Sequence, residues 1–287
     1  MDCSITFDIG ATSELYAQLT GLLAGFSFTA VVIALSRSLE RTPAGQTPAP
    51  DPIKESLDRA LPVMICSFLA LVITSLTYSA ITGDADNTGR ATIEELVGGL
   101  TFQVSGIIMF YSVVLLLEAA EAWEAANHSR RLLGQFVTLV SFAYITNGLD
   151  DYNDARFRNG TEPPTWVATV TYSLLAVYAV YAVAGYFLYH RLPHIGGRSV
   201  TRNAAGQITS TSGAAQPDHK RMVQKIATIS LLTVIACAVG VGYYSAYGGE
   251  VCSTAPLGVA VGIMVLSFAV SVAFSTWFFL SRQPDLE

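Results

Sequence analysis

Seven stretches of this chain are each long and apolar enough to cross a bilayer as a helix: residues 14–36, 60–82, 96–117, 132–149, 165–189, 223–247 and 256–281. A hydrocarbon core about 30 Å thick needs about 20 such residues per crossing. Lipid offers no hydrogen bonds, so each crossing must pair its own backbone amides, which selects helices. The segments are too long and too evenly apolar for the alternating strands of a barrel. Only 13% of the 287 residues are charged, against roughly 25% in a soluble domain. The sequence therefore predicts an all-α integral membrane protein, a seven-transmembrane helix bundle in which residues 1–287 form one domain.

The charges between the stretches set an orientation. If the amino end lies outside, the inner segments hold Arg37, Arg41, Lys54, Arg59, Arg130, Arg131, Arg191, Arg198, Arg202, Lys220, Arg221, Lys225 and Arg282. The outer segments hold only Arg90, Arg156 and Arg158. The positive-inside rule assigns the basic side to the cytoplasm, so the N-terminus is expected outside and the C-terminus in the cytoplasm. Asp2, Asp8 and Glu14 precede the first stretch where a cleavable signal would be basic, so that stretch reads as an anchor. The expected location is the cell membrane, multi-pass. Acidic residues gather on the outer face, where they would concentrate cations.

Two inner segments are expected to be mobile: the proline-rich 42–52 and the small, polar 195–217, which has almost nothing to bury. Residues 53–61 read as a short amphipathic turn leading into the second helix. Cys66 and Cys237 fall inside helices as small apolar groups. Cys3 and Cys252 fall on the outer side, either as a disulfide or as two free thiols. Gly21 and Gly25 form a small-xxx-small seam suited to close helix packing. The mid-helix tyrosines Tyr172, Tyr178 and Tyr181 need hydroxyl partners, which turns some of them toward the bundle.

Three constellations carry candidate chemistry. In DADNTGRATIEE (84–95), Asp84, Asp86 and Thr88 stand at positions one, three and five, Gly89 at six and Glu95 at twelve. This resembles the EF-hand loop and implies a calcium site built from those oxygens. Asp150, Asp151 and Asp154 in NGLDDYNDARF resemble the aspartate-rich motif with which isoprenoid synthases hold magnesium and a diphosphate, and they would also serve one outer site for a divalent cation, calcium or magnesium. On the inner side, Glu121, Glu124 and His128 share one face of an extended third helix, with Glu118 a turn earlier. Glu118, Glu121 and His128 would act as catalytic acid and base toward a lipid.

No lysine lies inside the last span, and HExxH, GxSxG and Walker-type motifs are missing. The seven apolar centres contain no Asp, Glu, Lys or Arg, whereas proton-coupled carriers usually need one. Three function classes follow. The first is a passive conduit or sensor, cation-related through its acidic outer face. The second is a membrane-embedded enzyme of lipid or isoprenoid processing, and the third a membrane scaffold or signalling component. Expected partners are membrane lipid and further copies of the chain, with no nucleic acid.

Overall fold

The computed structural model describes residues 9–40, 52–84, 88–120, 122–134, 138–157, 164–188, 199–202, 208–211, 216–247 and 256–280. They form α1 (Ile9–Glu40), α2 (Pro52–Gly83), α3 (Thr88–Ala119), α4 (Trp123–Leu132), α5 (Thr138–Arg156), α6 (Thr165–Leu188), β1 (Ser199–Arg202), β2 (Ile208–Thr211), α7 (Gln216–Tyr247) and α8 (Leu257–Leu280). Among the described residues, five helices are long and apolar enough to span a membrane: Ile9–Ser36, Ala60–Gly83, Gly89–Ala119, Arg221–Tyr247 and Leu257–Phe278. The chain is a polytopic, overwhelmingly helical membrane protein.

Several sequence expectations change here. The stretch expected as a fourth span, 132–149, is divided: Leu132 ends α4, and α5 starts only at Thr138. The second half of α5 carries Asp150, Asp151, Asp154 and Arg156, so it fails the same measure of length and hydropathy. The stretch expected as the fifth span, 165–189, is helical from Thr165 to Leu188 as α6. Residues 53–61 are no separate turn, because α2 is continuous from Pro52. Within 195–217, which was expected to be mobile, β1 pairs antiparallel with β2 (Ser199 opposite Thr211) and α7 starts at Gln216. Residues 42–51, Cys3 and Cys252 lie outside the described residues. Cys66 and Cys237 are free, half-buried thiols.

Contacts sort the helix ends into two levels. At one end, Ile9 of α1 packs with Tyr78 and Ile81 of α2, Ala91 of α3 and Val241 of α7. At the same level, Ile93 and Leu96 of α3 meet Leu149 and Tyr152 of α5, Val167 of α6, and Ala260 and Met264 of α8. The opposite end gathers Ala34, Ala60, Leu115, Ala126, Leu133, Val223 and Phe278. Successive long helices therefore alternate in direction: α1, α3, α6 and α8 leave the first end, and α2, α5 and α7 arrive there.

The bundle is apolar outside and polar within. Leu15, Phe26, Val180, Ile229 and Val239 project outward from α1, α6 and α7, as lipid-facing side chains must. Ser67, Thr74, Thr101, Gln103, Ser105, Ser267 and Ser271 are buried instead. Most hydroxyls return to carbonyls three or four residues back, as in Thr74 to Ala70 (2.8 Å) and Thr101 to Gly98 (2.7 Å), which satisfies them inside a helix. A few reach between helices. Thr74 donates to Ser105 (3.2 Å), and Ser75 to the Ala17 carbonyl (2.8 Å) beside Gly21. Of the tyrosines on α6, Tyr181 bonds Thr276 of α8 (2.6 Å) and Tyr178 is fully buried, while Tyr172 points outward.

Gly98 fixes how closely α2 and α3 approach. A Cβ there would lie 3.0 Å from Ile81 Cδ1 and 3.2 Å from Tyr78 Cε1, and both of those side chains are fully buried. Gly98→Val should therefore cost about 1–3 kcal/mol through overpacking, seen as a lower thermal midpoint in detergent. Gly25→Val, where nothing lies within 4 Å, should leave the midpoint close to the parent's. Equal midpoints for the two variants would remove Gly98 as the packing determinant.

Candidate functional site

A polar centre forms where the C-terminal ends of α2 and α7 meet the first two turns of α3. Asp84 closes α2, its amide donating to the Ile81 carbonyl (3.0 Å). Arg90 projects from the first turn of α3 and donates through Nη2 to Asp84 Oδ1 (2.7 Å) and through Nη1 to the Ser245 carbonyl of α7 (2.7 Å). The Ser245 hydroxyl donates to Asp84 Oδ2. One carboxylate and one guanidinium thus tie three helices together. The planar fork of arginine suits this, because its donors point in fixed divergent directions.

Two more carboxylates lie one turn further along α3. Glu94 is 1% exposed, with Oε1 3.8 Å from Arg90 Nε. Glu95 is 7% exposed, and its Oε2 receives no hydrogen bond. The Asp151 carboxyl of α5 stands near enough to Glu95 to act on it electrostatically. α3 and α5 pack closely there: a Cβ on Gly148 would meet Leu96 Cδ2 at 3.1 Å.

This arrangement corrects the calcium-loop reading. An EF-hand needs a twelve-residue coordinating loop with a sharp turn at its sixth position. Here α3 is already helical from Thr88, so Thr88, Gly89 and Glu95 lie along a rod and cannot wrap an ion. Asp84 is occupied by Arg90 and Ser245, and Asp86 lies outside the described residues. Among the described residues, no three His, Cys, Asp or Glu side chains converge to hold a metal ion.

Asp150, Asp151 and Asp154 share the last turns of α5. Asp150 and Asp154 are exposed, and Asp151 is half-buried beneath them. Burial, then the charges of Asp154 and Asp150, push the Asp151 carboxyl up to about 6. Burial and the Asp154 charge raise Asp150 as well. Arg156 donates to the Tyr152 hydroxyl (3.2 Å) on the same helix.

The inner constellation is rearranged. α3 stops at Ala119, and the chain turns as the Ala122 amide donates to the Leu117 carbonyl (2.9 Å). The face expected to carry Glu121, Glu124 and His128 is therefore broken, because Glu124 and His128 belong to the separate α4. Both are exposed, and Glu121 lies outside the described residues. The fold-back brings Arg130, 1% exposed, onto Glu118 as an ion pair. Glu118 is thus engaged by Arg130 rather than turned toward His128. Its carboxylate and the guanidinium offset each other at the C-terminal end of α3, where an unpaired buried charge would be expensive.

Sequence reading assigned no site role to Arg90, Glu94 or Ser245, whereas Arg130 and Arg131 follow Glu118, Glu121 and Glu124 closely enough in sequence to suggest that they neutralise those carboxylates, and Arg130 does pair with Glu118. For the others one signal was available: Arg90 and Glu94 are spaced i, i+4 in an otherwise acidic segment, a spacing that favours a helix over a loop. Ser245 had none, since it finds its partners only through tertiary packing. No protein-family model, no curated protein and no solved structure matches this chain.

The raised Asp151 carboxyl has a defined effect on stability. The folded protein holds that proton more tightly than the unfolded chain, whose value is 3.8. Stability from this group is therefore present at low pH and lost as pH rises from 3.8 to about 6, leaving a standing cost above that range. Asp151→Asn should raise the thermal midpoint at alkaline pH, with the gain shrinking as pH falls toward 3.8. A gain of the same size at every pH would show that charge is not its source.

Proposed function

We propose that this protein is a seven-crossing component of the cell membrane, with its amino end outside and its carboxyl end in the cytoplasm, and that it senses cations at its outer face. The orientation is supported by the sixteen basic residues, thirteen of which fall on one side when seven helices alternate. At 1.5 Å per residue, α6 is about 36 Å long and α5 about 28 Å, lengths compatible with crossing beside the other five long helices. One observation carries the sensing role. Glu94 and Glu95 are buried carboxylates at the joint between α2, α3 and α7, with Asp151 opposite. Buried acidic groups are expensive in lipid and tend to mark function. Here the expense falls where three helices are held by one ion pair, so a cation that changes their charge changes the joint.

In lipid nanodiscs, the parent's thermal midpoint should respond to external protons, sodium or calcium. The double variant Glu94→Gln, Glu95→Gln should lose most of that response. A midpoint indifferent to every cation would reject the sensing role.

A second reading, the passive conduit, is favoured by a polar seam along α3. Gln103 donates to Ser271 (2.5 Å) and accepts from Ser267 (2.7 Å), both of α8, and Ser105 accepts from Thr74 of α2. These groups run between the outer carboxylates and the inner Glu118–Arg130 pair. A conduit along this seam should pass cations in liposomes and lose at least tenfold of that flux in Gln103→Leu. Flux equal to that of empty vesicles would exclude it.

A further inference from the structure

Asp84 and Glu94 flank the same guanidinium, Asp84 Oδ1 2.7 Å from Arg90 Nη2 and Glu94 Oε1 3.8 Å from Arg90 Nε, and two ionised carboxylates are both acceptors. The oxygens of Asp84 are already engaged, Oδ1 by Arg90 and Oδ2 by Ser245. Glu94 is 1% exposed, and neither of its oxygens receives a hydrogen bond from the protein. Among the described residues, its one nearby cation is the same guanidinium, 3.8 Å away at Nε, whose two terminal nitrogens are turned to Asp84 and Ser245. Two carboxylates against one guanidinium leave a surplus negative charge, with a missing hydrogen at the point where the carboxylates meet.

We propose that a proton fills both deficits, so that Glu94 is a proton-binding side chain donating to Asp84, and the hydrogen ion is the ligand of the outer centre. This rests on the cation-sensing reading and names the cation. On binding, an O–H bond forms on Glu94 and a hydrogen bond closes to Asp84. On release, the proton leaves to the outer solution and two bare carboxylates face each other across the ends of α2 and α3. The repulsion falls on Asp84, the residue that also joins α7 through Ser245.

The groups that bear on Glu94 come from each neighbouring helix. α2 contributes Asp84, α3 Arg90, and α7 Tyr244, while Ser245 of α7 acts through Asp84; the adjacent Glu95 is acted on by Tyr78 of α2. α5 contributes Asp151, which acts on Glu95, and α1 contributes Tyr16, stacked on Tyr78 at 5.3 Å between ring centroids. α6 and α8 bring no charged residue. Arg90 is therefore the one cationic side chain opposing these carboxylates among the described residues.

The test is infrared difference spectroscopy of the full chain in nanodiscs, with glutamate isotopically labelled at its carboxyl carbon. A protonated-glutamic-acid carbonyl band should appear in the parent, fade as pH rises, and be absent from Glu94→Gln but retained in Glu95→Gln. Glu94→Gln carries its hydrogen donor at every pH, so its thermal midpoint should fall less than the parent's on alkalinisation, keeping the part that Asp151 contributes. Asp84→Asn, which supplies a donor to ionised Glu94, should show the same flattening and serves if Glu94→Gln does not fold. A parent without a pH-dependent glutamic-acid band overturns the proposal. If sodium or calcium raises the midpoint and Glu94→Gln abolishes that gain while the band stays absent, a metal ion is the ligand, which overturns the proton but leaves cation sensing standing. A midpoint insensitive to both pH and metal ions defeats the sensing reading itself.

Discussion

Lipid neither donates nor accepts hydrogen bonds, and the whole bundle is arranged around that deficit along α3. This helix carries Arg90, Glu94, Glu95, Thr101, Gln103, Ser105, Ser112 and Glu118 along its length, and all eight are buried or nearly so. Facing lipid, each would lose its water without replacement. The fold instead lays α2, α5, α7 and α8 against α3, and those helices supply partners: Asp84 and Thr74 from α2, Ser245 from α7, Ser267 and Ser271 from α8. The outward faces of α1, α6 and α7 are left apolar.

The two ends of α3 treat charge differently. At its C-terminal end, Glu118 meets a single arginine, Arg130, delivered by the fold-back of α4. That pair is balanced. At its N-terminal end, Arg90 must answer Asp84 while Glu94 and Glu95 lie a turn further along. Charge is left over there, and it lies at a joint where α2, α3 and α7 are held by three hydrogen bonds among Asp84, Arg90 and Ser245. A balanced pair stabilises one arrangement, whereas an unbalanced one makes the arrangement depend on what the solution supplies.

Much of the architecture was legible from local properties. Apolar runs marked the helices because hydropathy is additive along the chain and needs no knowledge of neighbours. Gly21 marked a close approach of α1 to α2 for the same reason, since a missing side chain is visible in the sequence. The sites were less legible. Asp84, Asp86, Thr88, Gly89 and Glu95 have the periodicity of a calcium loop, but the i, i+4 pairing of Arg90 with Glu94 and the buried face of Thr92, Glu95 and Leu96 favour a helix from Thr88 onward. Glu121, Glu124 and His128 would share a face only if α3 continued, and the turn after Ala119 takes the chain elsewhere.

The linear chain by itself determined that this protein is helical and lives in lipid, because both follow from how many consecutive side chains prefer hydrocarbon to water. The uneven distribution of its basic residues is equally a property of the string. Which carboxylates are buried, which arginine answers them and which serine of a helix some 150 residues away completes the contact were decided only in three dimensions. The reason is physical: a hydrogen bond or an ion pair acts over a few ångströms, and the packing of α3 against its neighbours determines which groups come that close.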